Sequence, residues 1–274
     1  MKLTTIRAGT GTRAARVEPD GTLVELASPD VGALISLPEW RTVASASGGA
    51  RHEAMLSVRA PIIPRPGKII RVDFGPCLAA ASIEGRGPLV GSKDDVVLAQ
   101  GSVAAGWNAR LAVVIGSRLR STARVDAEAA IAGFSLLTDV NAHVPHGCDP
   151  EAPRRQSSSF GPTLVTPDDL PGGLRPQLSL RAHIEGHLVR EANVAAVTFD
   201  PVAAVRHVSQ LVHLEPGDVI ALAACSEAWR HGSPTQSDNN SVLEVELDGI
   251  GFQENAIRLR SALVPAARHP SRSS

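Results

Sequence analysis

The chain has 274 residues, with 27 Lys and Arg against 28 Asp and Glu and a formal net charge of -1. That balance leaves no basic face for nucleic acid or an anionic membrane, and no apolar run reaches the ~18 residues that a bilayer span needs. The length permits a large core, as one long domain or as a small domain plus a larger one.

In chain order, residues 1–58 open with a strand-like stretch. They continue through Arg16-Val-Glu-Pro-Asp-Gly-Thr-Leu-Val-Glu-Leu26, where Asp20-Gly21 reads as a hairpin turn. Ser45-Ala-Ser-Gly-Gly-Ala50 is small and polar and reads as a loop or linker. Beyond it, apolar runs bounded by Gly, Pro and Asp read as strands: Ile69–Val72, Leu111–Ile115, Phe134–Val140, Val219–Ala223 and Val242–Leu247. Asp126 is expected to cap a short helix running through Ile131. Gln177–Ile184 alternates, and Glu185-Gly186 can turn it back through His187–Arg190 as a hairpin. Asp200-Pro201 supplies an N-cap and a first-turn proline for a helix, with Val202, Val205, Val208 and Leu211 or Val212 at helical spacing. From Pro265 onward no periodicity remains, and a disordered tail is expected.

Three tryptophans, five phenylalanines and no tyrosine leave the core to Val, Leu, Ile and Ala, which suits pleated sheet. Many strands and few helices predict a mainly-β (α+β) roll or sandwich. Cys77, Cys148 and Cys225 are odd in number and widely spaced, as in a reducing compartment. They read as buried or incidental thiols, with a catalytic Cys225 as the alternative. Met1-Lys-Leu-Thr-Thr lacks a signal-peptide core, so a cytoplasmic location is expected.

Six phrases then fall in a familiar order. They are Pro61-Ile-Ile-Pro-Arg-Pro-Gly-Lys-Ile-Ile70, Leu111-Ala-Val-Val-Ile-Gly116, Ala132-Gly-Phe-Ser-Leu-Leu-Thr-Asp-Val140, Gly161-Pro-Thr-Leu-Val-Thr166, Leu214-Glu-Pro-Gly-Asp-Val-Ile220 and Val245-Glu-Leu-Asp-Gly-Ile-Gly251. In this order and spacing the chain resembles the fumarylacetoacetate hydrolase family. The resemblance implies a mixed β-sandwich roll with a small N-terminal domain (1–58), a catalytic-type domain (59–264) and a tail (265–274). It also implies a small-molecule substrate and a homodimer, with no nucleic-acid or membrane partner.

The resemblance further implies a hard divalent cation held by Glu-x-Glu on one strand and by a later aspartate, because such cations prefer carboxylate oxygens. Here the matching residues are Asn108, Arg110 and Asp139, so one anionic ligand remains and no metal or other cofactor is expected. The family's His-x-x-Glu falls on Ala79 and Ser82, and its Thr-Gly-Thr-Pro loop on Leu222-Ala-Ala-Cys225. Its central lysine has no counterpart, since the only lysines are Lys2, Lys68 and Lys93.

The candidate catalytic residues are therefore Arg110, Asp139, His143 and His146. His143 and His146 stand where relatives commonly have arginine and glutamine, and histidine suits proton transfer near neutral pH. Asn108, Arg110, Cys225 and Glu227 are the candidate substrate-binding residues. An inward-pointing Arg110 could pair with Asp139 and still offer donors to a substrate carboxylate or enolate; alternatively, it merely neutralises Asp139 in a filled pocket. His183 and His187 beside the hairpin turn read as solvated, Glu227 and His231 as surface groups after the altered loop with the pocket rim as the alternative, and Asp94-Asp95 as a turn.

Two function classes follow. One is a metal-independent enzyme acting on a β-dicarbonyl or 2-oxo acid compound by enolisation, isomerisation, elimination, cyclisation or decarboxylation, with residual C–C bond hydrolysis as a variant. The other is a non-catalytic relative serving as a binding or partner subunit.

Overall fold

The computed structural model describes residues 1–53, 57, 59–73, 80–83, 89–98, 104–121, 123–143, 156–197, 200–223 and 240–259. The first part contains strands β1 (Lys2–Ala8), β2 (Gly11–Val17) and β3 (Thr22–Glu25), helices α1 (Val31–Ile35) and α2 (Trp40–Ser45), and β4 (Arg51–Glu53). β2 and β3 pair antiparallel across the Asp20-Gly21 turn, where the Asp20 carboxylate accepts from the Thr22 N–H and Gly21 adopts φ +84°. The two short helices were not read from the sequence. Asp30 starts the first by accepting from Ala33 N, and Val31, Leu34, Ile35 and Trp40 are buried.

The chain continues through β5 (Ile69–Asp73), β6 (Ala80–Ile83), β7 (Leu89–Val90), β8 (Val96–Leu98) and the long strand β9 (Ala104–Ile115). Helix α3 (Arg124–Ala130) leads into a second long strand, β10 (Ile131–His143), followed by β11 (Gln156–Phe160) and β12 (Leu164–Val165). The N-cap of α3 is Ala123, not Asp126, which lies inside the first turn. There its charge still complements the exposed N–H groups, so the error is one of position and not of chemistry. The hairpin of β13 (Ser179–Ile184) and β14 (His187–Asn193) turns at Glu185 and Gly186, both at positive φ, as a two-residue turn of this hand requires. After α4 (Val194–Val197), helix α5 (Pro201–Leu211) starts where Asp200 accepts from Ala203 N. Strands β15 (Val219–Ala223), β16 (Asn240–Leu247) and β17 (Gly251–Leu259) complete the order.

Among the described residues these strands form two mixed sheets with few helices, the mainly-β architecture expected from the sequence. The larger runs β4-β3-β2-β1-β12-β10-β9-β15-β5-β6, with β11 paired to β10 and β7 to β11; the smaller runs β14-β13-β16-β17-β8. The N-terminal strands continue the large sheet through the β1–β12 pairing, where Leu3 faces Leu164. The run Leu111–Ile115 is apolar at every position because both its faces are covered. On one face Leu111 and Val113 join Ile220, Leu222, Val205 of α5, and Leu180 and Val245 of the smaller sheet. On the other, Ala112 and Val114 join Val219, Ala221, Phe160, and Leu34 and Trp40 of the short helices.

That second face positions the site. Alternation along β9 puts Arg110 and Asn108 on the same side as Val114 and Ala112. The surface therefore changes from apolar, beneath α1 and α2, to polar within two steps of one strand. No helix among the described residues is long and apolar enough to cross a membrane.

Candidate functional site

Five strands bring charged and polar groups together on this face. β9 and β10 pair so that Asn108 lies opposite Asp139, while β11 places Ser158 opposite Asp139 on its other side. β15 sets Ala223 opposite Arg110, and β5 sets Arg71 opposite Ala221. Strands β10 and β5 are three steps apart, roughly 14 Å at ordinary strand spacing. Arg71 nevertheless reaches Asp139. A long side chain on a curled sheet can make that crossing where the intervening residues of the face, Ala221 and Ala223, end at a methyl group.

Asp139 is 1% exposed and accepts four hydrogen bonds. Its Oδ1 takes Arg71 Nη2 at 2.8 Å and Ser158 Oγ at 2.7 Å; its Oδ2 takes Arg71 Nε at 2.9 Å and Arg110 Nε at 2.8 Å. Arg71 Nη2 also donates to Ser158 Oγ at 3.2 Å. Arg110 turns its other end outward, and Nη1 donates to Asp73 Oδ1 at 2.6 Å. Among the described residues, two guanidinium groups thus face two carboxylates.

Burial pushes the Asp139 carboxyl up, but the hydrogen bonds and charge of Arg71, the charge of Arg110 and the Ser158 hydroxyl outweigh it and hold the group below the usual carboxylate range. Burial likewise pulls Arg110 down, and the charges of Asp139 and Asp73 more than compensate. Both groups are held in their charged forms.

This donor set does not suit a hard divalent cation. A carboxylate offers about four acceptor directions, and those of Asp139 are engaged by two cations and a hydroxyl. A divalent ion there would have to displace guanidinium groups bearing the same sign of charge. Among the described residues no group of three His, Cys, Asp or Glu is arranged to hold a metal ion.

Arg110 and Asp139 therefore come together, with Asn108 half-buried opposite the carboxylate. His143 is the last residue of β10, paired with Ala104. His146, Cys225, Glu227, His231 and Ala79 lie outside the described residues, as do Cys77 and Cys148 and the tail from 265. Ser82 lies on β6 opposite Arg71. His183 is half-buried and His187 exposed, as solvated hairpin residues should be. Asp94 accepts from Gly91 N and pairs with Arg7, while Asp95 pairs with Arg258, which fits a turn. A cavity of about 510 Å³ lined by Thr12, Asp30, Ser36, Arg65 and Pro216 includes none of the candidate residues.

Sequence reasoning missed Arg71, Ser158 and Asp73. Arg71 left a usable signal: a charged residue inside the apolar run Ile69–Val72 is expensive to bury and demands a partner. Ser158, within Gln156-Ser-Ser-Ser-Phe160, left none.

Comparison with known proteins places this geometry in context. Residues 85–258 match the model of the fumarylacetoacetate (FAA) hydrolase C-terminal family. A 2,4-didehydro-3-deoxy-L-rhamnonate hydrolase from Sphingomonas sp. is 29% identical over 183 residues, covering 62% of this chain and 61% of that protein. The matches span less than two thirds of the length of such curated relatives, 62% and 64% in two further cases. Among solved structures, 5-carboxymethyl-2-hydroxymuconate delta-isomerase from Mycobacterium smegmatis superposes with a TM-score of 0.73 at 19% identity, covering 95% of this chain and all of that one (100%). Maleylpyruvate hydrolase from Sphingobium sp. SYK-6, solved in complex with manganese(II) ion and pyruvate, superposes with a TM-score of 0.72 at 21% identity and the same coverage, 95% and 100%. At these identities the likeness is one of fold.

Proposed function

The chain belongs to the fumarylacetoacetate hydrolase family, and on that premise we propose that it is a metal-independent enzyme acting on a β-dicarbonyl or 2-oxo acid compound. The reaction is an enolisation or a step that proceeds through one: isomerisation, elimination, cyclisation or decarboxylation. The observation that carries this reading is the pair of arginines on Asp139, since Arg110 supplies positive charge where the resemblance leads one to expect a cation.

In the proposed step, a base removes the proton next to the substrate carbonyl and the electron pair moves onto the carbonyl oxygen. A guanidinium fixed in place before the reaction stabilises that developing charge without reorganisation. Asp139 orients Arg110 through Nε, leaving the Nη end towards the substrate. Asn108 supplies an amide at the same face, with Cys225 and Glu227 completing the binding set. His143 or His146 carries the proton, returning it to a different carbon in an isomerisation. Residues 1–58 and 59–264 form the small and the catalytic-type domain in this reading, and the working unit is a homodimer.

A second reading is favoured by the pairing of Arg110 with both Asp139 and Asp73, which already engages its charge: a non-catalytic relative that binds a ligand or partner. Incubating the purified chain in D₂O with panels of 1,3-dicarbonyl compounds and 2-oxo acids, with and without EDTA, separates the two. Loss of the α-proton signal in NMR spectra, unaffected by chelator and abolished by Arg110→Ala, is the expected result. Activity that vanishes with EDTA refutes metal independence, and binding without exchange or turnover favours the second reading. If Arg110→Ala lowers stability while turnover and binding persist, Arg110 has no functional role.

A further inference from the structure

The two ends of the Arg110 guanidinium are held very differently. Its Nε faces Asp139, which is 1% exposed and also bound by Arg71 and Ser158, so this carboxylate cannot leave without abandoning three partners. Its Nη1 faces Asp73, whose side chain is 52% exposed. Among the described residues, the Asp73 carboxylate makes this one hydrogen bond only. Arg110 itself is 8% exposed, so Asp73 stands on the solvent side of a buried cation.

An ion pair with one half-exposed member contributes little to stability, because water competes for the exposed carboxylate. What Asp73 presents to Arg110 is also what a substrate carboxylate would present: two acceptor oxygens and one negative charge. Exchange of one for the other leaves the charge that faces Arg110 unchanged. Asp73, at the end of β5, can release its carboxylate into solvent, where its charge is hydrated. We infer that Asp73 is a displaceable counter-ion, occupying on Arg110 the place taken by the carboxylate of a 2-oxo acid substrate. This rests on the proposed reading of the site and adds a specificity-determining residue to it.

The arrangement gives selectivity. An empty Arg110 would attract any small anion, whereas a tethered carboxylate at Nη1 yields to a ligand that reproduces its charge and its acceptor oxygen. Removing the Asp73 charge leaves Arg110 with one counter-charge fewer, which strengthens anion binding there and makes it less discriminating.

The test is titration of pyruvate, with methyl pyruvate as its uncharged counterpart, into the wild-type chain, Asp73→Asn and Asp73→Ser at pH 7 and low ionic strength, read by calorimetry. The thermal midpoint of each variant verifies folding. Both variants are expected to bind pyruvate about three- to tenfold more tightly than wild type, with methyl pyruvate binding unchanged. Wild-type binding of pyruvate with equal or weaker binding in both variants overturns the role of Asp73 and leaves the proposed function standing. An equal gain for methyl pyruvate also overturns it, since the effect is then one of space and not of charge. If none of the three proteins binds pyruvate, the reading of the site as one for 2-oxo acids falls, and this inference with it.

Discussion

Replacing Arg71 with methionine tests whether the buried cluster is held together as its geometry implies. The substitution keeps an unbranched side chain but removes the guanidinium. Asp139 then loses its bonds of 2.9 and 2.8 Å to Arg71 while keeping Arg110 Nε and Ser158 Oγ. Hydrogen bonds to a charged group contribute ~1.5–3 kcal/mol each, and breaking a buried ion pair costs ~3–5 kcal/mol. Because Arg110 still compensates the carboxylate, the lower end applies, about 3 kcal/mol, equivalent to a fall of about 6–12 °C in thermal midpoint for a chain of this size.

Urea titration at pH 7 gives the magnitude, provided that the slope is unchanged. Arg118→Met is the control, because the Arg118 side chain is 78% exposed and its pair with Glu215 lies at the surface. Titration towards acid gives a second signature. The folded-state pKa of Asp139 is lowered, so its contribution to stability is fully present above the ordinary carboxyl value of 3.8 and disappears as pH falls through the lower folded value. Without Arg71 the effect of burial is less opposed and the folded value rises, so the variant loses this contribution at a higher pH than wild type. A loss no greater than that of Arg118→Met, with an unmoved acid limb, would refute the reasoning.

Two other substitutions probe neighbouring features. Gln253 is fully buried and its amide ties the sheets together, donating to the carbonyls of Leu136, Ser159 and Gly161 while accepting from Thr138 Oγ1. Gln253→Leu removes these four bonds, leaving the Leu136 carbonyl with the Gly161 N–H, and should cost about 2–4 kcal/mol in chemical denaturation; a loss under about 1 kcal/mol would show that the amide is dispensable. The double change Asn108→Glu with Arg110→Glu puts two new carboxylates beside Asp139 and Asp73, with Arg71 the arginine that remains. It should create Mn²⁺ binding detectable by electron paramagnetic resonance at concentrations where wild type shows none; equal binding by wild type would contradict the argument against a cation at Asp139.

Much of the fold was legible because its signals are local. Glu185-Gly186 could adopt the positive φ angles of a two-residue turn, and Asp200-Pro201 could start a helix, whatever the rest of the chain did. The site was legible only where resemblance directed attention. Arg110 and Asp139 were singled out because the resemblance sets them at the family's metal positions, and the structure brings them into contact. Arg71 stood at no such position, and its partner is 68 residues away on a strand that only the assembled sheet brings near. The Ala221 and Ala223 methyl groups that leave it room are equally silent in sequence, because an alanine in a buried strand reads as ordinary packing. Asp126 was misplaced as a cap for a simpler reason: acidic residues favour both the cap and the first turn, and only backbone geometry distinguishes them.

The pairing of Lys2 and Leu3 with Val165 and Leu164 also bears on the order of events during synthesis. The β1–β2 hairpin can form as soon as its own residues are made, but the edge of β1 that receives β12 lacks its partner until about 160 further residues have been added. In that interval an unpaired strand edge is open to other chains, so the early half of this protein is the part that most needs protection from premature association.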